Sequence, residues 1–76
     1  MKNTIAVFVG ADEFECQQYY NADNNCDGVD IIYAEDRTHI GNIDNIVIPD
    51  LDDDDYDEKV IAFNFEVENY LNENYF

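Results

Sequence analysis

Residues 50–58 place seven carboxylates in nine positions, with no cation before Lys59. A block of like charge this dense repels itself and stays together only with counterions or a basic partner beside it. The bias runs through the whole chain, in which nineteen Asp and Glu stand against three Lys and Arg over 76 residues, a formal net charge of -16.

Acidity on this scale commonly marks a disordered tail, a solubility device or a salt-adapted surface. Hydrophobic residues make up 46 % of this chain and aromatic residues 14 %, well above what a disordered acidic segment carries, so the chain is expected to fold. Salt-adapted surfaces accompany small, Ala-rich cores, whereas this sequence is rich in Ile, Tyr, Phe and Asn. At this length residues 1–76 make one domain, near the size where folding buries only about 60 % of the unfolded chain's surface and stability is slim.

No apolar run approaches the roughly 20 residues of a membrane span. The opening Met1-Lys2-Asn3-Thr4 precedes only five apolar residues before Gly10, too few for a secretory signal. A soluble, cytoplasmic protein is expected, and an anionic membrane surface would repel it. Cys16 and Cys26 are too far apart for a C-x-x-C half-site and too few for a disulfide scaffold, so both are read as reduced.

Thr4-Ile5-Ala6-Val7-Phe8-Val9, closed by Gly10, suits a central strand buried on both faces. Asp12 followed by Glu15 reads as a helix start running to about Ala22, with Cys16, Tyr19 and Tyr20 sharing one face. Asn24, Asn25, Asp27 and Gly28 then turn the chain. Residues 29–34 read as a second strand and residues 45–48, before Pro49, as a third, with a loop or short turn-and-strand excursion around Gly41 between them. In the last segment Val60, Phe63, Val67, Tyr70 and Leu71 fit a helix over about residues 55–74, while Ile61, Phe63, Phe65 and Val67 alternate like a strand. The helix is preferred because the stretch exceeds normal strand length. The expected fold is a small α/β sandwich of about three strands with two helices in β-α-β-β-α order, the first strand in the middle if right-handed crossovers make it a parallel neighbour of the third.

Catalysis is the poorest reading. His39 is the single histidine, no Ser or Cys nucleophile has a visible base, and no Gly-rich phosphate loop is present. No cofactor is expected. A calcium site is a sharper rival, because Asp23-Asn24-Asn25-Cys26-Asp27-Gly28 matches the opening of an EF-hand loop with oxygen ligands at Asp23, Asn25 and Asp27. Position twelve, however, is Ala34, and the closing acid Glu35 comes one residue late. Ordinary turn chemistry in a chain full of Asp and Asn accounts for the match.

A folded polyanion is what a basic groove prefers to meet. Duplex DNA presents one negative charge per about 1.7 Å of axis. Helix neighbours three or four apart lie roughly 5–6 Å from each other and same-face strand residues about 6.5–7 Å, comparable to neighbouring phosphates. The expected mimic surface comprises Asp50, Asp52, Asp53, Asp54, Asp55, Asp57 and Glu58, extended by Glu66, Glu68 and Glu73 on the last helix and by Asp12, Glu13 and Glu15 at the start of the first. Singly, each is an ordinary solvated acid; the expectation concerns the ensemble.

In size and charge, though in no shared motif, the whole chain resembles the DNA-mimic host-takeover proteins of bacteriophages, in particular the small acidic HU inhibitors of SPO1-like Bacillus phages. That resemblance implies a non-enzymatic inhibitor whose partner is the dimeric nucleoid protein HU, blocked at its DNA-binding surface, with neither nucleic acid nor membrane as a partner. A two-fold partner calls for two copies of the chain, or for a homodimer. An acidic escort or antitoxin-like binder of another basic protein is the remaining alternative.

Self-repulsion of this size predicts that salt stabilises the isolated protein. The denaturation midpoint should rise between low and physiological ionic strength; a flat or falling midpoint would show that the charges do not oppose folding.

Overall fold

The computed structural model describes residues 4–76, so the part of the leader reading that falls on Met1, Lys2 and Asn3 lies outside the described residues. Four strands and one helix follow in order: β1 (Thr4–Val9), β2 (Asp12–Asn21), β3 (Cys26–Tyr33), β4 (His39–Asp44) and α1 (Tyr56–Asn74). The strands form one sheet in the order β1-β2-β3-β4, every neighbouring pair antiparallel. This α+β meander with one C-terminal helix replaces the expected α/β sandwich of three strands and two helices.

The largest correction is the expected first helix, which is strand β2. Phe14 and Cys16 are both completely buried, while Glu13, Glu15 and Gln17 between and beside them keep contact with water. Two residues apart, side chains share one face of a strand but point to opposite sides of a helix, so only the strand buries both. Gly10, at φ 64°, is the first of two loop residues joining Val9 to its partner Asp12, the place where a two-residue hairpin takes glycine. That turn sends the chain back along β1. β1 is accordingly an edge strand with one open face: Val7 is buried while Phe8 is 65 % exposed.

The next turn occupies residues 22–25. Asn25 takes φ 53°, and Asn21 Oδ1 accepts from the backbone N–H groups of Asp23 (3.0 Å) and Asn24 (3.3 Å), the side-chain turn chemistry typical of Asn. Gly28, expected in that turn, pairs instead with Tyr19 inside β3. The third expected strand is also displaced. The ladder is made by β4 within the stretch read as a loop or a short turn-and-strand excursion around Gly41, and Asn45 at φ 63° turns residues 45–48 out of it. Ile46 and Ile48 still reach the core, so their alternation reports burial without pairing.

α1 begins one residue after the expected start. Phe63, Val67 and Leu71 bury its inner face at helical spacing, whereas Ile61 and Phe65 are 69 % and 63 % exposed, which overturns the alternating-strand reading. The core is the set Val7, Phe14, Cys16, Val29, Ile31, Ile48, Phe63, Val67 and Leu71, between one sheet face and the helix. Tyr75 and Phe76 close its end with ring centroids 6.0 and 6.3 Å from Phe14, both edge-on.

Tyr70 crosses to β4, its hydroxyl occupying the space that a Cβ on Gly41 would need. Gly41→Ala should therefore destabilise the fold by about 1–3 kcal/mol through overpacking. In a Tyr70→Phe background the penalty should shrink, because the nearest clashing atom is gone. Denaturant unfolding of the four proteins measures the coupling; an unchanged penalty would place the strain elsewhere.

Candidate partner-binding surface

Nine apolar side chains fill the interior, and no polar or charged residue is buried among the described residues. All nineteen carboxylates thus stand at the surface. The described cations do little to offset them, because each already has a carboxylate. Arg37 meets Glu15 at 3.0 Å and Lys59 meets Asp53 at 2.8 Å; the His39 ring, Nε2 3.3 Å from Asp30, is a hydrogen-bond partner on the sheet.

The acidic run is ordered by its own backbone. Asp50 accepts from the N–H of Asp52 on its side chain (3.1 Å) and from the N–H of Asp53 on its carbonyl (3.0 Å). The Asp53 carbonyl then accepts from Tyr56 (3.2 Å), where the helix starts. Most of the run therefore precedes α1 as successive turns, and only Asp57 and Glu58 lie in its first turn, where the helix dipole favours negative charge. Glu66, Glu68 and Glu73 are exposed along the same helix. Glu66 and Glu73, seven residues apart, fall on one flank, separated by about 10 Å along the axis.

Asp12, Glu13 and Glu15 do not extend this surface as a helix start. Asp12 ends the helix-bearing side of the sheet, while Glu13 and Glu15 point to the opposite, uncovered face, two positions apart on β2. There they join acids that sequence reasoning missed: Asp30 on β3, opposite Gln17, and Asp44 on β4, opposite Gly28. The available signal was the alternation of Glu13 and Glu15 with Phe14 and Cys16, and of Asp30 with Val29 and Ile31. On this face the Tyr19 hydroxyl donates to Asp44 at 2.5 Å and accepts from Asn42 at 2.8 Å. The Arg37 guanidinium, helped by Gln17, holds the Glu15 carboxyl below its usual range. The expected single surface is thus two acidic faces, one on each side of the sheet.

The calcium set does not assemble. Asp23 and Asn25 lie in the β2–β3 turn and Asp27 at the start of β3, whereas Glu35 follows the far end of that strand, which rises about 20 Å from Asp27 to Tyr33. No cluster of His, Cys, Asp and Glu that could hold a metal ion occurs among the described residues. Both cysteines are free. Cys16 lies on β2 rather than on a helix face, and burial, with the nearby Glu15 charge adding, pushes its thiol up to about 12, so it stays protonated and unreactive.

Compared with family models, curated proteins and solved structures, the chain matches none. No helix among the described residues is long and apolar enough to cross a membrane.

The acidic field leaves a measurable mark at Tyr33. Its hydroxyl donates to Asp12 (3.1 Å) and Glu35 (3.2 Å); the hydrogen bond to Asp12, followed by burial and the adjoining charges, pushes it up to about 12. The folded state holds this proton more tightly than the unfolded chain, whose tyrosines ionise near 10. The contact therefore stabilises the fold below pH 10 and is lost as pH rises through about 12. Phenolate absorbance should show a late-titrating tyrosine that disappears in Tyr33→Phe; loss of a step near pH 10 instead would refute the assignment.

Proposed function

We propose that this chain is a DNA mimic that occupies the DNA-binding surface of a basic bacterial protein, with HU the leading candidate, and so excludes DNA from it. The observation that carries the reading is a folded scaffold with every carboxylate at its surface and every described cation already paired. The density of charge supports it. Sixteen net negative charges over a longest extent of 31 Å come to about one per 2 Å, against one per about 1.7 Å of duplex axis. A groove that recognises little beyond a phosphate array meets a comparable field here.

The helix-bearing side is the preferred contact. Its run of seven acids continues into Glu66, Glu68 and Glu73 with Lys59 as their one cation among the described residues, paired to Asp53, whereas the opposite face gathers only Glu13, Glu15, Asp30 and Asp44, with Glu15 paired to Arg37. Ordered turns through residues 50–56 support a fixed array, which limits the entropy lost on binding. A dimeric partner with two equivalent basic arms would take two copies of the chain. Such an inhibitor would work in the bacterial cytoplasm, associated with the nucleoid through its target.

In a competition experiment with HU and labelled DNA, rising concentrations of this protein should release the DNA, with an affinity that falls steeply as salt increases. Replacing Asp52, Asp53, Asp54 and Asp55 together by Asn should weaken inhibition by between about fourfold and several hundredfold, taking about 0.2–1 kcal/mol for each charge pair. A stable ternary complex of HU, DNA and this protein would overturn the reading.

A further inference from the structure

Where residues 46–50 run beside the first half of α1, the two segments leave an open groove of ≈ 400 Å³. Ile48 and Phe63 are core residues that also line it, Val47 and Ala62 are exposed along it, and Asp50 and Glu66 stand at its rim. Lys59 also lines the groove, its ammonium held by Asp53 at 2.8 Å and within the field of Asp50; one cation against Asp50, Asp53 and Glu66 leaves the lining net negative. The result is an apolar slot inside the most negative part of the molecule.

Two features decide what such a slot accepts. Its lining is largely hydrocarbon, so it gains by taking an apolar side chain out of water. Its rim and the adjoining run are acidic, so the residues flanking that side chain must be Lys or Arg. An acidic or neutral hydrophobic peptide meets repulsion or gains nothing from the rim. Proteins that grip DNA through the minor groove present this combination, an apolar wedge carried between basic residues and inserted between base steps. A surface standing in for DNA deals with the cations through its carboxylates, and with the wedge only if it has somewhere to put it.

We propose that the groove between residues 46–50 and α1 receives an apolar side chain flanked by Lys or Arg on an extended segment of the basic partner. This rests on the DNA-mimic reading for the partner's identity, but the groove's preference can be tested without HU. The occupant is a protein segment; a small apolar ligand would gain nothing from Asp50 and Glu66.

Two pentapeptides serve as probes, Lys-Arg-Ile-Arg-Lys and the same sequence with Ser in place of Ile. Titrated into the isotopically labelled full chain, the Ile peptide should shift the NMR signals of Val47, Ala62 and Phe63 and bind at least several-fold more tightly. The Ser peptide should shift only the acidic residues. Equal affinity and identical shifts for the two peptides would overturn the proposal even if HU is inhibited.

With HU itself, Ala62→Trp fills the groove at an exposed position without changing charge. It should weaken binding about tenfold or more while leaving the slope of log affinity against log salt unchanged, and circular dichroism confirms that the variant is folded. Unchanged affinity in folded Ala62→Trp would overturn the proposal. If HU is not bound at all but the peptides still differ, the groove stands and the mimic reading fails.

Discussion

A small hydrophobic core has to hold together a surface that pushes itself apart. Nine buried side chains do this, in a chain short enough that folding leaves much of its surface in water. None of the nineteen acids can be spared to the interior, since a buried unpaired carboxylate costs far more than any one of these contacts returns. One sheet face and one helix stripe are enough to enclose nine apolar residues, and everything else becomes surface. The two acidic faces follow directly: with a single helix available, the second face of the sheet stays open and must carry Glu13, Glu15, Asp30 and Asp44.

The meander suits this constraint. Each strand pairs with its neighbour in sequence, so the core is assembled through hairpins with short loop closures rather than long crossovers. Close approach does the rest. Tyr70 fits over Gly41, and Tyr19 lies against Gly28 on the opposite face, so the helix and the open face each use a glycine to bring an aromatic ring onto the sheet.

Only part of this was legible in the residues, and the failures have specific causes. β1 and β3 were readable as strands because they are short apolar runs rich in β-branched residues beside turn residues, and α1 because its rival period leaves too long a strand; the unbroken run of β1 nonetheless pointed to a central position, whereas it is an edge strand with Phe8 in water. β2 carried two patterns. Cys16, Tyr19 and Tyr20 lie at helical spacing, whereas Phe14 and Cys16 alternate with acids; complete burial of Phe14, which the helical reading left out, decides for the strand. Residues 45–48 misled for the opposite reason, since Ile48 is buried and Ile46 partly so, but Asn45 in a left-handed conformation has already turned the chain from the ladder. The acidic run could be found because it is contiguous. The acids of the open sheet face are scattered in sequence and gather only once the strand register is known, and the groove beside α1 depends on residues 46–50 lying outside the sheet.

The same carboxylates act on folding and on association with opposite sign. Folding gathers them on one compact body and raises their mutual repulsion; a cationic partner placed against that body lowers it. Part of the free energy that weakens the isolated fold is therefore returned when a basic surface docks, and a partner that binds only the folded chain stabilises it in turn. A flexible acidic tail could relax its charges by spreading and would have less repulsion to relieve. The turns that fix residues 50–56, the ion pair between Lys59 and Asp53, and the anchoring of the run to α1 prevent that spreading. For the mimic proposed above, the scaffold's contribution to binding would be to keep the charges crowded: the same order that gathers like charges on the fold would hold them as a duplex holds its phosphates.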